Sequence, residues 1–359
     1  MKRILSLVLC LAMLLAVGCT SAPPAETKPA GTNDPAASNP DGGFDTKYEW
    51  SLATTYASGD SATLAYKKFA ELVDEKTGGA VKVTVFSDGA LGGENDTIQA
   101  ISANELEFVG SGTGPVFLYT PEYSFLMGVF LFDTYEEYTN CWESSLMDDC
   151  RDILAKDYNI ANMGGFGYRG YRNYIAGKKF TNQQEFAAAK MTMRMNSNPN
   201  WMESWNNLGS TCVTIALGEL YSAMQNGTVQ AAEGPWTQST SIALQEVSKY
   251  VMETKHTFEG AAIWMNQKLY DSLPANYQEA VTAAMTEAMD YLDEIGPEMD
   301  KKELQKCLDA GCELVEIDRD SFVKAAEPYL RSCFDSLDSL WNVTTYDDVK
   351  AAGAGNYKK

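Results

Sequence analysis

The sequence predicts an α/β fold of two similar lobes. Three patterns carry that expectation: strands and helices alternate from Tyr48 to Gly114, a second alternating set starts near Gly170, and a long helical stretch opens at Pro274.

In the first set, YEWSLATT from Tyr48 reads as a strand, and Thr63 to Lys76 reads as a helix with Leu64, Phe69, Leu72 and Val73 on one stripe, stopped by Thr77-Gly78-Gly79. AVKVTVF (80–86) alternates as a strand, Glu94 to Ala103 is helical, and LEFVGSGTG (106–114) is a strand entering a glycine-rich loop. Strand and helix in alternation imply a parallel sheet, whose ligands lie beyond the carboxyl ends of the strands, here Thr54 to Tyr56 and Ser111 to Gly114. In the second set YRNYIAG, KMTMRM and CVTIAL are strand-like, and Trp201 to Leu208 and Gly218 to Gln225 are helical. The helix opened by Pro274 places Tyr277, Val281, Met285, Met289 and Leu292 at near-fourfold spacing as far as Gly296-Pro297, and resumes to about Ala310 before the strand-like CELVEI. Such a helix is long enough to run across both lobes.

The segment preceding these elements reads as a leader and a tether. Lys2 and Arg3, an apolar run from Ile4 to Val17 and small residues before Cys19 have the layout of a signal peptide over 1–18. Ala16-Val17-Gly18-Cys19 resembles a bacterial lipobox, with alanine where leucine is more common, so Cys19 is expected to carry lipid; simple secretion is the alternative. Residues 19–46, rich in Pro, Ala, Gly, Asn and Asp, read as a flexible lipid-anchored linker.

A formal net charge of −21 repels nucleic acid, and no long Lys/Arg run offsets it, so no nucleic-acid partner is expected. Beyond Cys19 six cysteines remain, without a CxxC pair; Cys141 with Cys150 and Cys307 with Cys312 could pair or stay as buried thiols. With His256 as the one histidine, neither a metal nor a cofactor is expected. GxSxG is absent, GSGTG lacks the spacing of a phosphate loop, and acidic pairs are too common here to mark a glycosidase. No catalytic constellation stands out, and most aromatic side chains sit at core spacing.

In KMTMRM (190–195) methionines alternate with Lys190, Thr192 and Arg194, so Arg194 points away from the apolar face. The surrounding blocks identify what it faces. ELYSAMQNGTVQAAEGP from Glu219, EVSKYVMETKH (246–256), LYDSLPANYQEAV (269–281) and, upstream, KFAELVDEKTGGAVKVTVFSDGALGGENDTIQAISANELEF resemble, in the same order, the solute-binding proteins of TRAP (tripartite ATP-independent periplasmic) transporters, the DctP-like family. The resemblance runs from Lys47 to about Trp341.

It implies a periplasmic-binding-protein-like fold with a hinge, a ligand cleft between the lobes and a lobe-spanning helix. The expected boundaries are 47–169 with 260–296 for the first lobe, 170–259 with 297–345 for the second, and a C-terminal tail at 346–359. Arg194 matches the family's signature arginine, allowing one inserted residue after Lys190; a guanidinium fits a carboxylate bidentately, which suits an organic-acid anion. Arg172, in Gly170-Tyr171-Arg172, matches a second arginine that touches ligand or braces the site, with Arg169 competing for that place. Thr55, Tyr56, Glu94, Ser111 and Gly112 fall at lining positions of the first lobe, and Leu217 at an apolar wall. Glu233-Gly234-Pro235 departs from the family's E-N-P; the missing asparagine leaves volume for ligand or for Trp236 to fill, and limits the expectation to an anion without a named acid.

The function implied is an extracytoplasmic receptor that binds without chemistry and hands its ligand to a membrane permease. Its rivals are a ligand-sensing lipoprotein of a signalling system, a secreted hydrolase built on His256, and a structural surface lipoprotein.

Overall fold

A computed structural model describes residues 43–196, 198–335 and 338–358; the signal peptide, Cys19 and nearly all of the linker lie outside the described residues. The described strands are β1 (Tyr48–Ala53), β2 (Val81–Phe86), β3 (Phe108–Ser111), β4 (Ile160–Asn162), β5 (Gly167–Ala176), β6 (Thr192–Met195), β7 (Thr211–Thr214), β8 (Ala231–Gly234), β9 (Tyr250–Asn266) and β10 (Glu313–Val315). They run in the order β2-β1-β3-β9-β5-β8-β6-β7, with β4 and β10 also paired to β9.

Each alternating set folds as predicted. β1 is parallel to β2 and β3, and β6 is parallel to β7 and β8. In the helix Ser61–Lys76 the buried stripe is Ala62, Tyr66, Phe69 and Val73, with Leu64 and Leu72 at its margins. The strand in KMTMRM is shorter than its alternation suggests. Lys190 takes a left-handed φ of 45° as C-cap of the helix Gln183–Ala189, so it leaves the face that Arg194 shares with Thr192.

What joins the two sets is β9. Its first residues pair with β10 and β5, and its last with β3 and β4, so one continuous strand of 17 residues belongs to both lobes. The helix Ala275–Asp309 makes the second crossing. Its first part, from Tyr277 to Leu292, shares a core with Trp50, Leu52, Tyr66 and Phe108, whereas Cys307 belongs to a core with Ile175, Leu220 and Trp236. The helix is unbroken for 35 residues, where the sequence suggested an interruption; Pro297 sits inside it at the loss of one intrahelical bond.

Two boundaries differ from expectation. The fold begins before residue 47: the Phe44 ring packs edge-on to Tyr277 with centroids 4.9 Å apart, and the Tyr277 hydroxyl accepts from Thr46 N–H (3.0 Å) and donates to Thr46 O (2.8 Å). At the other end, 346–359 is no tail. Tyr346–Gly353 is a helix capped by Thr345, with Val349 buried, Lys350 Nζ donating to Leu131 O (2.8 Å) and Asn140 Nδ2 donating to Gly353 O (3.0 Å). Cys141, Cys150, Cys212, Cys307, Cys312 and Cys333 are all free and buried, so neither cysteine pair is bridged.

The crossing elements approach closely at Gly296. A Cβ there would lie 2.3 Å from the Tyr168 carbonyl oxygen of β5, well inside contact distance. Alanine in a helix interior normally stabilises by about 1 kcal/mol over glycine. Gly296→Ala is nevertheless expected to destabilise the protein by about 1–3 kcal/mol, because helix and strand must separate. Urea unfolding of the two proteins measures the difference, and a gain in stability would show that the contact is slack.

Candidate functional site

Between the lobes lies a cavity of about 800 Å³. The first lobe contributes Thr55 and Tyr56 just past β1, Gly112 just past β3, and Glu94 at the start of the helix Glu94–Ser102; the second contributes Arg172, Arg194 and Leu217. The cavity therefore lies beyond the strand ends, where parallel sheets place ligands. Trp201, Phe117, Asn196 and Gln238 also line it and were not foreseen. Trp201 lies in the helix Pro199–Leu208, where its spacing with Trp205 and Leu208 reads as core.

Arg194 is buried, and its Nε donates to Ile215 O (2.8 Å). It forms no ion pair among the described residues. Burial pushes its pKa down to about 10, with Glu233 pulling the other way and Arg172 adding to the fall. The group thus remains a cation at neutral pH, with its remaining donors available to an anion in the cavity.

The neighbouring arginines are in the opposite condition. Arg172 donates through Nε and Nη2 to the Glu233 carboxylate (2.5 and 2.6 Å), pairs through Nη1 with Glu259, and lies 4.6 Å from the Trp201 ring centroid. Burial lowers its pKa, but Glu233 and Glu259 outweigh that and leave it raised. Arg169 does not line the cavity. It pairs with Asp60 (3.2 and 2.7 Å) and with Glu259 (2.8 Å), and its guanidinium covers the Tyr56 ring at 3.6 Å. Glu259 thus bridges the two arginines. Both arginines lie beside register shifts in the β5–β9 ladder, between Tyr168 and Gly170 and between Arg172 and Tyr174. Such shifts re-aim side chains that strict alternation would send to alternate faces.

The first-lobe wall is tied to the same cluster. The Tyr56 hydroxyl donates to Glu259 Oε1 (3.2 Å) and accepts from Gly112 N–H (3.0 Å). Glu94 Oε1 accepts from the Ser111 hydroxyl (2.6 Å); Ser111 itself lies behind the lining and supports it. Burial pushes the Glu94 carboxyl up, and the Ser111 bond opposes the rise.

The family profile described as "DctP: Bacterial extracellular solute-binding protein, family 7" matches residues 52–337. The chain belongs to the DctP family. It is 26% identical over 293 residues to the C4-dicarboxylate-binding periplasmic protein DctP of Rhodobacter capsulatus, spanning 80% of this chain and 85% of that one. It is 24% identical over 277 residues to the 2,3-diketo-L-gulonate-binding periplasmic protein YiaO of Escherichia coli, spanning 77% and 83%. Its fold matches a TRAP periplasmic solute-binding protein from Shewanella oneidensis with bound succinate at a TM-score of 0.77 and 21% identity, covering 87% of this chain and 100% of that one. The DctP family is one of transport solute-binding proteins, and the fold is the two-lobed one, with the cleft at the lobe boundary.

Besides Ser111, two expectations within this DctP-type cleft need correction. Gly234 does not line the cavity and leaves no room for ligand, because a Cβ there would lie 2.4 Å from Gln238 Nε2. The amide side chain one helical turn on occupies that volume, held by a bond from Arg169 Nη2 to Gln238 Oε1 (3.3 Å). Trp236 fills none of it either. It is 1% exposed and packs in the core with Ile175, Leu220 and Leu244, where it can stack on no ligand.

His256 is likewise turned from the cleft. Its Nε2 donates to Glu233 Oε2 (3.0 Å), so Nδ1 is left to accept from the Thr254 hydroxyl (2.8 Å). The order hydroxyl, imidazole, carboxylate has the form of a hydrolytic triad, but Thr254 is fully buried and no substrate can reach it. Burial lowers the His256 pKa and the Glu233 bond opposes this; for Glu233, burial pushes up, and Arg172 and His256 together hold the carboxyl well below the usual range.

Because Glu259 serves both Arg169 and Arg172, its neutralisation leaves two buried guanidinium groups short of counter-charge. Glu259→Gln is expected to destabilise the fold by about 3–5 kcal/mol. Chemical denaturation is the check; a loss under about 1 kcal/mol, the size of an exposed pair, would mean that the cluster is solvated.

Proposed function

We propose that the protein captures an organic-acid anion in this cleft, with the ligand carboxylate seated on Arg194, and delivers it to a TRAP membrane permease. The observation that carries the reading is the contrast among three arginines. Arg169 and Arg172 are spent on carboxylates of the chain, whereas Arg194 is buried, cationic and without a carboxylate partner among the described residues. A ligand carboxylate supplies what the chain does not, and closure of the lobes would remove the water that competes with it. The names of the relatives support the same ligand class, since dicarboxylate, diketogulonate and succinate all carry carboxylates. Arg172, braced by Glu233 and Glu259, would act by shaping the wall on which the ligand rests.

A panel of carboxylates in a thermal-shift assay tests this, because a ligand that binds only the folded state raises Tm. At least one carboxylate is expected to raise Tm, and Arg194→Ala is expected to weaken its binding by about 100-fold or more, the loss of a bidentate charge-assisted pair. Unchanged affinity in Arg194→Ala would end the clamp assignment.

The lipobox-like run ending at Cys19 supports a lipid anchor that keeps the receptor beside its permease. Labelled fatty acid should enter the wild-type chain and not Cys19→Ala. Equal labelling of the two would refute the anchor.

A further inference from the structure

We propose that the ligand of this cleft is a zwitterion, with its carboxylate on Arg194 and a cationic nitrogen group held on the facing wall by Glu94. The inference rests on the carboxylate-receptor reading above and adds the chemistry of the ligand's other end.

The charges of the lining argue for it. Arg172 and Arg194 are the cationic side chains among the described lining residues, against Asp88, Glu94, Asp96 and Glu259. All of the positive charge comes from the second lobe, while Asp88, Glu94 and Asp96 come from the first. Arg172 is already matched by Glu233 and Glu259, so Arg194 is the one cation left for an anion. A ligand with a second carboxylate would have to place it against Glu94, with Asp88 and Asp96 at the exposed rim, where like charges repel. A zwitterion adds no net charge and meets each wall with the opposite sign.

Glu94 supplies the acceptor. Oε1 is occupied by the Ser111 hydroxyl, and Oε2 has no partner among the described residues. Glu94 and Arg194 line the same cavity from opposite lobes, so a ligand that fills it can meet both. The fixed Ser111 bond orients the carboxyl and favours its charged form against the upward push of burial. The Tyr56 and Trp201 rings already carry Arg169 and Arg172, but Phe117 on the cavity wall carries no guanidinium among the described residues, and an aromatic face attracts a cationic nitrogen group.

The test is a titration of the purified protein, by calorimetry at neutral pH, with the α-amino acids and glycine betaine as zwitterions, succinate as a dianion, and L-galactonate as a hydroxylated monoanion. The expected result is that the tightest binder is a zwitterion, and that Glu94→Gln weakens it by about 10- to 100-fold, the worth of a charge-assisted hydrogen bond, with unliganded Tm unchanged or higher. Tightest binding by succinate or galactonate, binding by none of the zwitterions, or full zwitterion affinity in Glu94→Gln would each overturn the proposal. The underlying reading fails separately. It falls if no carboxylate of any arm binds, or if Arg194→Ala keeps its affinity.

Discussion

A guanidinium removed from water costs the fold several kcal/mol unless a counter-charge meets it. Three such groups lie in or beside the cleft, and the chain meets the cost differently for each. Asp60 and Glu259 neutralise Arg169, and Glu233 with Glu259 neutralise Arg172, in a network closed by Tyr56, Gln238 and His256. Arg194, on β6 beyond the intervening β8, receives only the carbonyl of Ile215 among the described residues. In a chain carrying a formal charge of −21, a local absence of carboxylate is not a matter of supply. The network holds Glu233 and Glu259 on other partners, which leaves Arg194 without a carboxylate partner among the described residues.

The two crossings make this cost useful. β9 runs through both lobes, and the helix Ala275–Asp309 has one core at each end, so two continuous elements tie the walls of the cleft together. Glu259 sits on β9 itself and touches Tyr56 from the first lobe as well as Arg169 and Arg172 from β5. A relative movement of the lobes would therefore act on the charged network and on the ligand wall together. The close approach of Gly296 to Tyr168 keeps helix and strand in register at that boundary.

Much of this was legible in the sequence, and what was missed has physical reasons. The first three strands announce themselves by alternation and by glycine-rich stops, and the strand-end rule then points to Thr55, Tyr56 and Gly112. β9 escapes such reading because Gly260 to Asn266 is buried on both faces, so no period of two survives. Arg194 was marked as polar-facing by alternation, but its place in a cleft came from the family blocks around it. The roles of Arg169 and Arg172 depend on register shifts in β5–β9 that no local pattern signals. At Gly234 a lost side chain looked like space for ligand; Gln238, one turn later and aimed back, takes it, and that is a fact of three-dimensional packing alone. Trp201 and Trp236 show the same limit in opposite directions, one lining the cavity and the other buried in the core.

If Arg194 is held without a counter-charge for the sake of ligand, its presence must weaken the empty protein. The most direct measurement is the unfolding free energy of Arg194→Met against wild type with no ligand present. Met keeps much of the length and removes the charge, and with it a desolvation penalty on the order of a few kcal/mol that no counter-charge offsets. The account predicts that the empty variant is more stable than the empty wild type while carboxylate binding is lost. An empty variant less stable by a similar amount would mean that Arg194 is a structural residue already satisfied by the fold, and would contradict the account.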